Sequence, residues 1–335
     1  MGTFIVRRLI ASVFLLVVVA AVTFAIFFLL PRLAGQTTYG LAIQYVGRTP
    51  TRSEVLAVEQ QLGLNRPLYL QFGSFLKAIV VGKHYTAGPN TVYCPPPCLG
   101  YSFKNQLPVW PQMVSDIPVT LSLAIGASVI WLVSGVAIGV LSALKRGTIF
   151  DRFSMGVALA GVSLPIFFTG LILLEVFVYR WPILPPPTFV PFTQNPWQWG
   201  VNLILPWITL AFLYSALYAR LTRAGMLETM SEDYIRTARA KGLSERSVIT
   251  RHGMRAALTP IVTIFGMDLG LLLGGAVITE YTFGLHGLGL FTIEAIQNQD
   301  LPEILGVTML AAFFIVIANL FVDILYAYID PRVRH

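Results

Sequence analysis

The residues able to do chemistry are few and widely spaced. His84, His252, His286 and His335 stand far apart and lack the spacing of a metal site. There is no G-x-S-x-G elbow. There is also no G-x-x-x-x-G-K-[ST] phosphate loop, so this chain does not hydrolyse ATP by itself. Cys94 and Cys98 flank three prolines, which excludes a metal site of the CxxC…CxxC kind. Three carboxylates interrupt otherwise apolar runs. Asp268 falls near the middle of Leu258–Thr279, where a charge costs a few kcal/mol or more unless it faces protein or water. It either lines a pathway, attracting a cationic group or carrying a proton, or makes a satisfied contact to a neighbouring helix or subunit. Glu175 and Asp323 lie about a turn and a half from the ends of their runs and can reach the interface. For Asp323 a structural role is preferred.

These runs set the class of the protein. Apolar residues make up 56% of the 335 positions and charged residues 12%, against about 25% charged in a soluble domain. Mean hydropathy is +0.72. Leu9–Leu30 carries no charge and would make roughly 33 Å of helix, enough to cross a bilayer and longer than a signal-peptide core. Ile117–Leu144, Phe153–Tyr179, Val201–Ala219, Leu258–Thr279 and Ile304–Tyr328 follow. The expected fold is all-α, a polytopic membrane protein with six transmembrane helices.

Orientation follows from the basic residues of the short connections. Arg7 and Arg8, Lys145, Arg146 and Arg152, the stretch Arg220–Arg255, and Arg332 and Arg334 all fall on one side, with Arg180 opposite. Both termini are therefore cytoplasmic and Pro31–Asp116 is extracytoplasmic. Long translocated loops largely escape the charge rule, so the basic residues within it are no obstacle. In that segment Thr51-Arg52-Ser53-Glu54 is a capping box. It opens a helix with Val55, Val58 and Leu62 on one stripe and a stop at Gly63, and Pro67 suits the first turn of a second helix. The segment reads as a small helical cap. Outside the cytoplasm Cys94 and Cys98 are expected to form a disulfide, with two free thiols as the alternative. The Trp residues of Arg180–Gly200 read as interfacial anchors.

The domain reading is residues 1–30 as N-terminal segment and first span, 31–116 as cap, and 117–335 as a five-helix core containing the segment 223–257. Within that segment Ser231 can cap a helix Glu232–Lys241, acidic at its start and basic at its end, as the helix dipole favours. Gly242 suits the left-handed position after it, and Ser244 can cap a second helix leading to Pro260. Nucleic acid is excluded as a partner, because both ends are tied to spans and eight basic residues in Arg220–Arg255 are offset by four acidic ones. A plain positive-inside loop is the main alternative, yet the connection is longer and more ordered than two spans require.

DYIRTARAKGLSERSV…RHGMRAALTPIVT resembles the cytoplasmic coupling motif of ABC-importer permeases, in the branch that imports peptides and nickel. The resemblance covers nearly the whole chain: VRRLI, EVLAVEQQLGLNRPLYLQF, DIPVTLSLAIGASVIWLVSGVAIGVLSALKRGTIFDR, GVSLPIFFTGLILLEVF and the closing VDILYAYIDPRVR. It departs from the branch at Pro31–Gly35, where Gly-Asp-Pro is usual, in the inserted His84–Leu99, and at His286, where proline is usual. The resemblance implies one of two permease subunits of an ATP-driven importer for dipeptides or oligopeptides, in the bacterial cytoplasmic (inner) membrane. Its implied partners are a second homologous permease, two ATP-binding subunits using ATP and Mg, an extracytoplasmic substrate-binding protein, and lipid. No cofactor is bound by this chain, and it is not an enzyme. Motion of the ATP-binding subunits would pass through the Glu232–Val248 helices, with Tyr234, Arg236, Ala238, Arg239, Lys241, Gly242 and Leu243 at the contact. Ala238 and Gly242 are the motif's small residues, expected to permit close approach to the partner. Glu280, Phe283, His286, Gly287 and Gly289 would form the docking face or gate on the outer side. Alternatives are a proton-coupled transporter using Asp268, an importer of nickel or another small solute, and a membrane scaffold.

Overall fold

The computed structural model describes residues 2–46, 50–87 and 90–329. Arg332 and Arg334, with the end of the VDILYAYIDPRVR signature, lie outside the described residues. In chain order the helices used below are α1 (Gly2–Phe24), α2 (Thr38–Val46), α3 (Arg52–Leu62), α4 (Leu68–Val81), α5 (Val109–Leu144), α6 (Ile149–Ser163), α7 (Ile166–Leu174), α8 (Pro196–Met230), α9 (Asp233–Ala240), α10 (Thr259–Leu273), α11 (Val277–Phe283), α12 (Leu288–Gln297) and α13 (Leu301–Ile329). Two antiparallel pairs, β1 (Lys83–Ala87) with β2 (Asn90–Cys94) and β3 (Tyr101–Ser102) with β4 (Leu107–Pro108), lie between α4 and α5.

Four described helices are long and apolar enough to cross a membrane, and six spans result if each of two bent pairs counts as one. The sequence reading took the first pair as one continuous run and the second as a helix leading up to Pro260 and the following span. The first pair, Ile149–Ser163 with Ile166–Arg180, turns through 102°. Its cause is local: the ring of Pro165 crowds the residue before it, and Leu164 is accordingly extended, at φ −85° and ψ 131°. The second pair, Glu245–Ala257 with Thr259–Leu273, bends by 49° just before Pro260. The run expected to continue to Thr279 stops at Leu273, and α11 starts separately at Val277.

The chain forms two compact units. The first comprises the residues up to Thr120, Leu273–Val277 and the chain from His286 onward. Its cap contains the expected α3, with Thr51 and Glu54 making the reciprocal capping bonds and Gly63 left-handed at φ 65°. Pro67 precedes α4 as its cap residue. The cap is not purely helical. The β-branched and aromatic residues of KHYTA and NTVYC favour pleated pairing, and Tyr85 stands opposite Val92. The Cys94 and Cys98 sulfurs are bonded. Phe24, Phe28, Leu41, Tyr45, Val55, Val58, Leu64, Leu301 and Leu305 form a core between α1, the cap and α13. Arg32 ties the end of the first span to the cap, donating to the Leu64 carbonyl at 2.9 Å and to Gln71 Oε1 at 3.1 Å. Arg8 pairs with Asp323 at 2.8 Å, which gives Asp323 the structural part preferred from sequence. Glu175, by contrast, is exposed at the start of a π-helical turn.

The second unit, Leu121–Leu272 with Ile278–Leu285, is organised by the contact of α5 with α8. A methyl group placed on Gly139 would fall 2.5 Å from Thr222 Cβ and 2.6 Å from the Ala219 carbonyl oxygen. One on Gly135 would fall 2.7 Å from Tyr218 Cβ, and one on Gly126 would enter the Trp207 indole. Gly135-Val136-Ala137-Ile138-Gly139 thus forms the small-xxx-small face that lets membrane helices approach closely. Ser122 accepts from both Trp199 Nε1 (3.0 Å) and Trp207 Nε1 (2.9 Å), and Trp131 stacks on Tyr214. Trp199 therefore packs inside the unit, whereas Trp197 stays exposed. Asp151 accepts from Arg223 Nε and Nη2 at 2.6 and 2.8 Å and from the Gly147 amide at 2.9 Å. This bidentate pair fastens the turn between α5 and α6 to α8.

Gly139→Leu should lower unfolding stability by on the order of 1–3 kcal/mol through overpacking. Gly156→Leu, at an exposed position where an added Cβ meets nothing within 4 Å, should leave it unchanged. Equal thermal midpoints of the two variants in detergent would contradict the packing argument. Asp151→Asn and Arg223→Lys should each lower that midpoint, since neither retains the charged fork. A wild-type midpoint for both would show that the pair contributes nothing.

Candidate functional site

The stretch 231–260 begins where α8 stops. Ser231 retains helical backbone and its hydroxyl donates to the Glu228 carbonyl at 2.7 Å, so it closes α8 instead of opening the next helix. The cap residue of α9 is Glu232, extended at ψ 150°, and α9 ends at Ala240, not Lys241. Asp233 in the first turn and Arg239 in the last still match the dipole.

Gly242 ends α9 in the left-handed conformation, with φ 74°. Its amide donates to the Arg239 carbonyl at 2.9 Å and the Leu243 amide reaches the Ala238 carbonyl at 3.4 Å. That pairing is a Schellman motif, which leaves the helix with its last carbonyls satisfied. Glycine adopts this φ without steric penalty, which explains its place in the motif. The chain resumes as a helix after Ser244, whose backbone is extended and whose side chain makes no capping bond. Glu245–Ser247, a π-helical turn Val248–Gly253, and Met254–Ala257 follow in sequence up to the bend at Leu258.

Two contacts make this turn a rigid clip. Arg239 grips Glu245 across the glycine with a fork of 2.7 and 3.1 Å. Being exposed, the pair adds little stability, but it fixes the angle between the two helices. Beneath it Ile235, Ala238 and Val248 pack with Met230 in a small core. Ala238 is 6% exposed and faces this internal core, so its smallness serves packing within the chain. The side expected to meet a partner is carried by others. Tyr234 and Leu243 are 44% and 42% exposed, and Arg236 and Lys241 are exposed as well. Farther along, Ala143, Met226 and Ala257 pack together, and Gly225 faces the Ala257 carbonyl at close range. The clip is thereby attached to α8 along its last turns.

The remaining candidates lie elsewhere. Asp268 accepts from the Tyr218 hydroxyl at 2.8 Å, within the second unit. Glu280 and Phe283 are buried in that same unit, at 0% and 6% exposure. Gly287 and Gly289 are buried in the first unit, and only His286 among these five is exposed. An exposed docking face made of all five is therefore not what the fold presents, whereas burial leaves the gate alternative as it stood. For Gly289 the structure supplies a different reason: Gly275, at φ 132°, has its missing Cβ 2.9 Å from the Gly289 backbone. Residues overlooked from the sequence are Asp151 and Arg223, and the glycines of α5. Thr148-x-x-Asp151 at a helix start was a legible signal, since Thr148 accepts from the Asp151 amide.

Comparison with known proteins matches this organisation end to end. The family described as binding-protein-dependent transport system inner membrane component matches residues 135–335, and its N-terminal companion matches residues 1–124. The dipeptide transport system permease protein DppB of Escherichia coli (strain K12) is 35% identical over 99% of this chain and 98% of that protein. A putative peptide transport system permease protein of Brucella abortus (strain 2308) is 37% identical over the full length of both. DppB of Alkalihalophilus pseudofirmus is 34% identical over 98% of each. This chain belongs to the family of binding-protein-dependent transport system inner membrane components, and is a non-catalytic permease subunit of an ABC importer.

Proposed function

We propose that the chain forms half of a translocation pathway for dipeptides or oligopeptides, driven by ATP-binding subunits that dock on the clip at 232–248. The observation that carries the docking assignment is the clip itself: a capped, ion-paired turn on which apolar Tyr234 and Leu243 and charged Arg236 and Lys241 are all exposed. Exposed apolar side chains rimmed by charge suit a protein contact better than plain solvent. Gly242 supplies the turn, Arg239 and Glu245 hold it, and Ala238 packs it from within. The peptide ligand rests on the names of the relatives, which match over their whole length. In this reading both termini and residues 223–257 face the cytoplasm of a bacterial cell, and residues 31–116 lie on the other side of the inner membrane. A second permease completes the pathway and an external binding protein delivers the ligand. ATP and Mg belong to the partner subunits. The Tyr218 hydrogen bond supports the structural part for Asp268.

Leu243→Asp, and separately Tyr234→Ala, should reduce ATP-dependent peptide uptake by tenfold or more in proteoliposomes of the assembled importer. The amount of permease in the membrane should not change, while the ATP-binding subunits should no longer co-purify. Wild-type uptake by both variants would refute docking at this surface. Arg239→Glu should impair uptake and the swap Arg239→Glu with Glu245→Arg should restore it; no rescue would mean that the fork does not set the clip.

A further inference from the structure

The first unit contains a partly open cavity of about 60 Å³ that the transport reading leaves unused. Phe24 and Phe28 from the first span form part of its wall, with Tyr45, Lys83, Tyr85 and Tyr101 from the cap. Tyr45 and Tyr101 are 4% and 1% exposed, and neither hydroxyl has a hydrogen-bond partner among the described residues. A buried hydroxyl left unpaired keeps its full desolvation penalty. Two on the same cavity point to an occupant.

The polar side chains at the cavity are the hydroxyls of Tyr45, Tyr85, Tyr101 and Ser74, the Gln71 amide and the Lys83 ammonium, all of them able to donate. Burial, then Tyr85 and the negative charge of nearby Asp300, push the Tyr45 hydroxyl well above its usual range, and burial pushes that of Tyr85 up to about 12, so both keep their protons. Lys83 Nζ lies 3.4 Å from the Gln61 carbonyl and 5.2 Å from the centre of the Tyr85 ring. It makes no ion pair among the described residues, and no carboxylate lines the cavity. Burial, and then the nearby Arg66, push its pKa down, as befits a cation lacking an anion. Gln71, also on the wall, spends its amide on the Leu64 and Arg66 carbonyls. On this scale one water needs roughly 10–15 Å³, and a cavity of about 150 Å³ admits benzene. The space therefore suits a group of a few heavy atoms.

We propose that this cavity binds a small carboxylate, with the Tyr45 and Tyr101 hydroxyls donating to its oxygens and Lys83 as the counter-charge. The carboxylate is either a free short-chain acid or the head of a fatty acid. This assignment is independent of the peptide reading, because it uses none of the residues on which that reading rests.

The test uses the full chain in detergent, in buffer free of carboxylates. Titration with acetate, followed by the thermal midpoint and by broadening of the carboxyl resonance of [1-¹³C]acetate, should show saturable binding. Acetamide, of like shape and no charge, should bind at least tenfold more weakly. Tyr45→Phe and Tyr101→Phe should each weaken acetate binding by tenfold or more. Their midpoints without acetate should not fall, because each removes an unpaired hydroxyl. Lys83→Met should abolish the preference for acetate over acetamide. Displacement of acetate by oleate would support the fatty-acid source, and its failure to displace would support the free acid. Absence of saturable acetate binding, or undiminished binding in the Tyr45→Phe, Tyr101→Phe double variant, would overturn the proposal and leave a water-filled cavity.

Discussion

Close backbone approach between α5 and α8 is the constraint on which the second unit rests. Lipid is as apolar as leucine, so membrane helices gain little from mutual burial and depend on packing and hydrogen bonds instead. Gly126, Gly135 and Gly139 remove the side chains that would hold α5 away, and Ser122, Ser134 and Asp268 supply polar contacts to α8 or from it. Beyond the end of α5, Asp151 at the start of α6 pairs with Arg223 and continues the joint to α8 with charge. The result is a firmly held α8, and α8 is the element that leads into the clip.

The clip inherits that firmness. Its turn is set by one left-handed glycine, its angle by the Arg239–Glu245 fork, and its seat by Ile235, Ala238 and Val248. In the docking proposed above, a contact that transmits motion would have to move as a body, because a floppy loop would absorb the displacement. The same logic explains why a π-helical turn at Val248–Gly253 joins the clip to α10 without a gap in helical structure. Only the bend before Pro260 interrupts it.

Much of this was legible from residue types. The apolar runs, the capping box at Thr51, the stop at Gly63 and the glycine turn at Gly242 all depend on local rules, and all appear in the fold. Asp323 also met its expectation, because a carboxylate near a span end needs a cation within reach and Arg8 is there. The misses share a cause. Ser231 has the right type for a cap, but α8 persists to its position and takes its hydroxyl. Ala238 has the right size for a partner contact, but the neighbouring Val248 folds back over it. Glu280, Phe283, Gly287 and Gly289 matched a pattern by position, and burial removed them from the surface.

By itself, then, the sequence determined the class, the order of the spans, the local turns and the family resemblance. Each of these follows from interactions between residues close in the chain: periodic apolarity, dihedral preference, and capping. Tertiary structure decided what distance along the chain conceals. It paired Arg223 with Asp151 and Tyr218 with Asp268, placed the α5 glycines against the α8 backbone, and turned Ala238 inward. It also gathered Tyr45, Lys83 and Tyr101 around one cavity. Such choices depend on which surfaces meet when the chain packs, and residue type alone does not specify a partner.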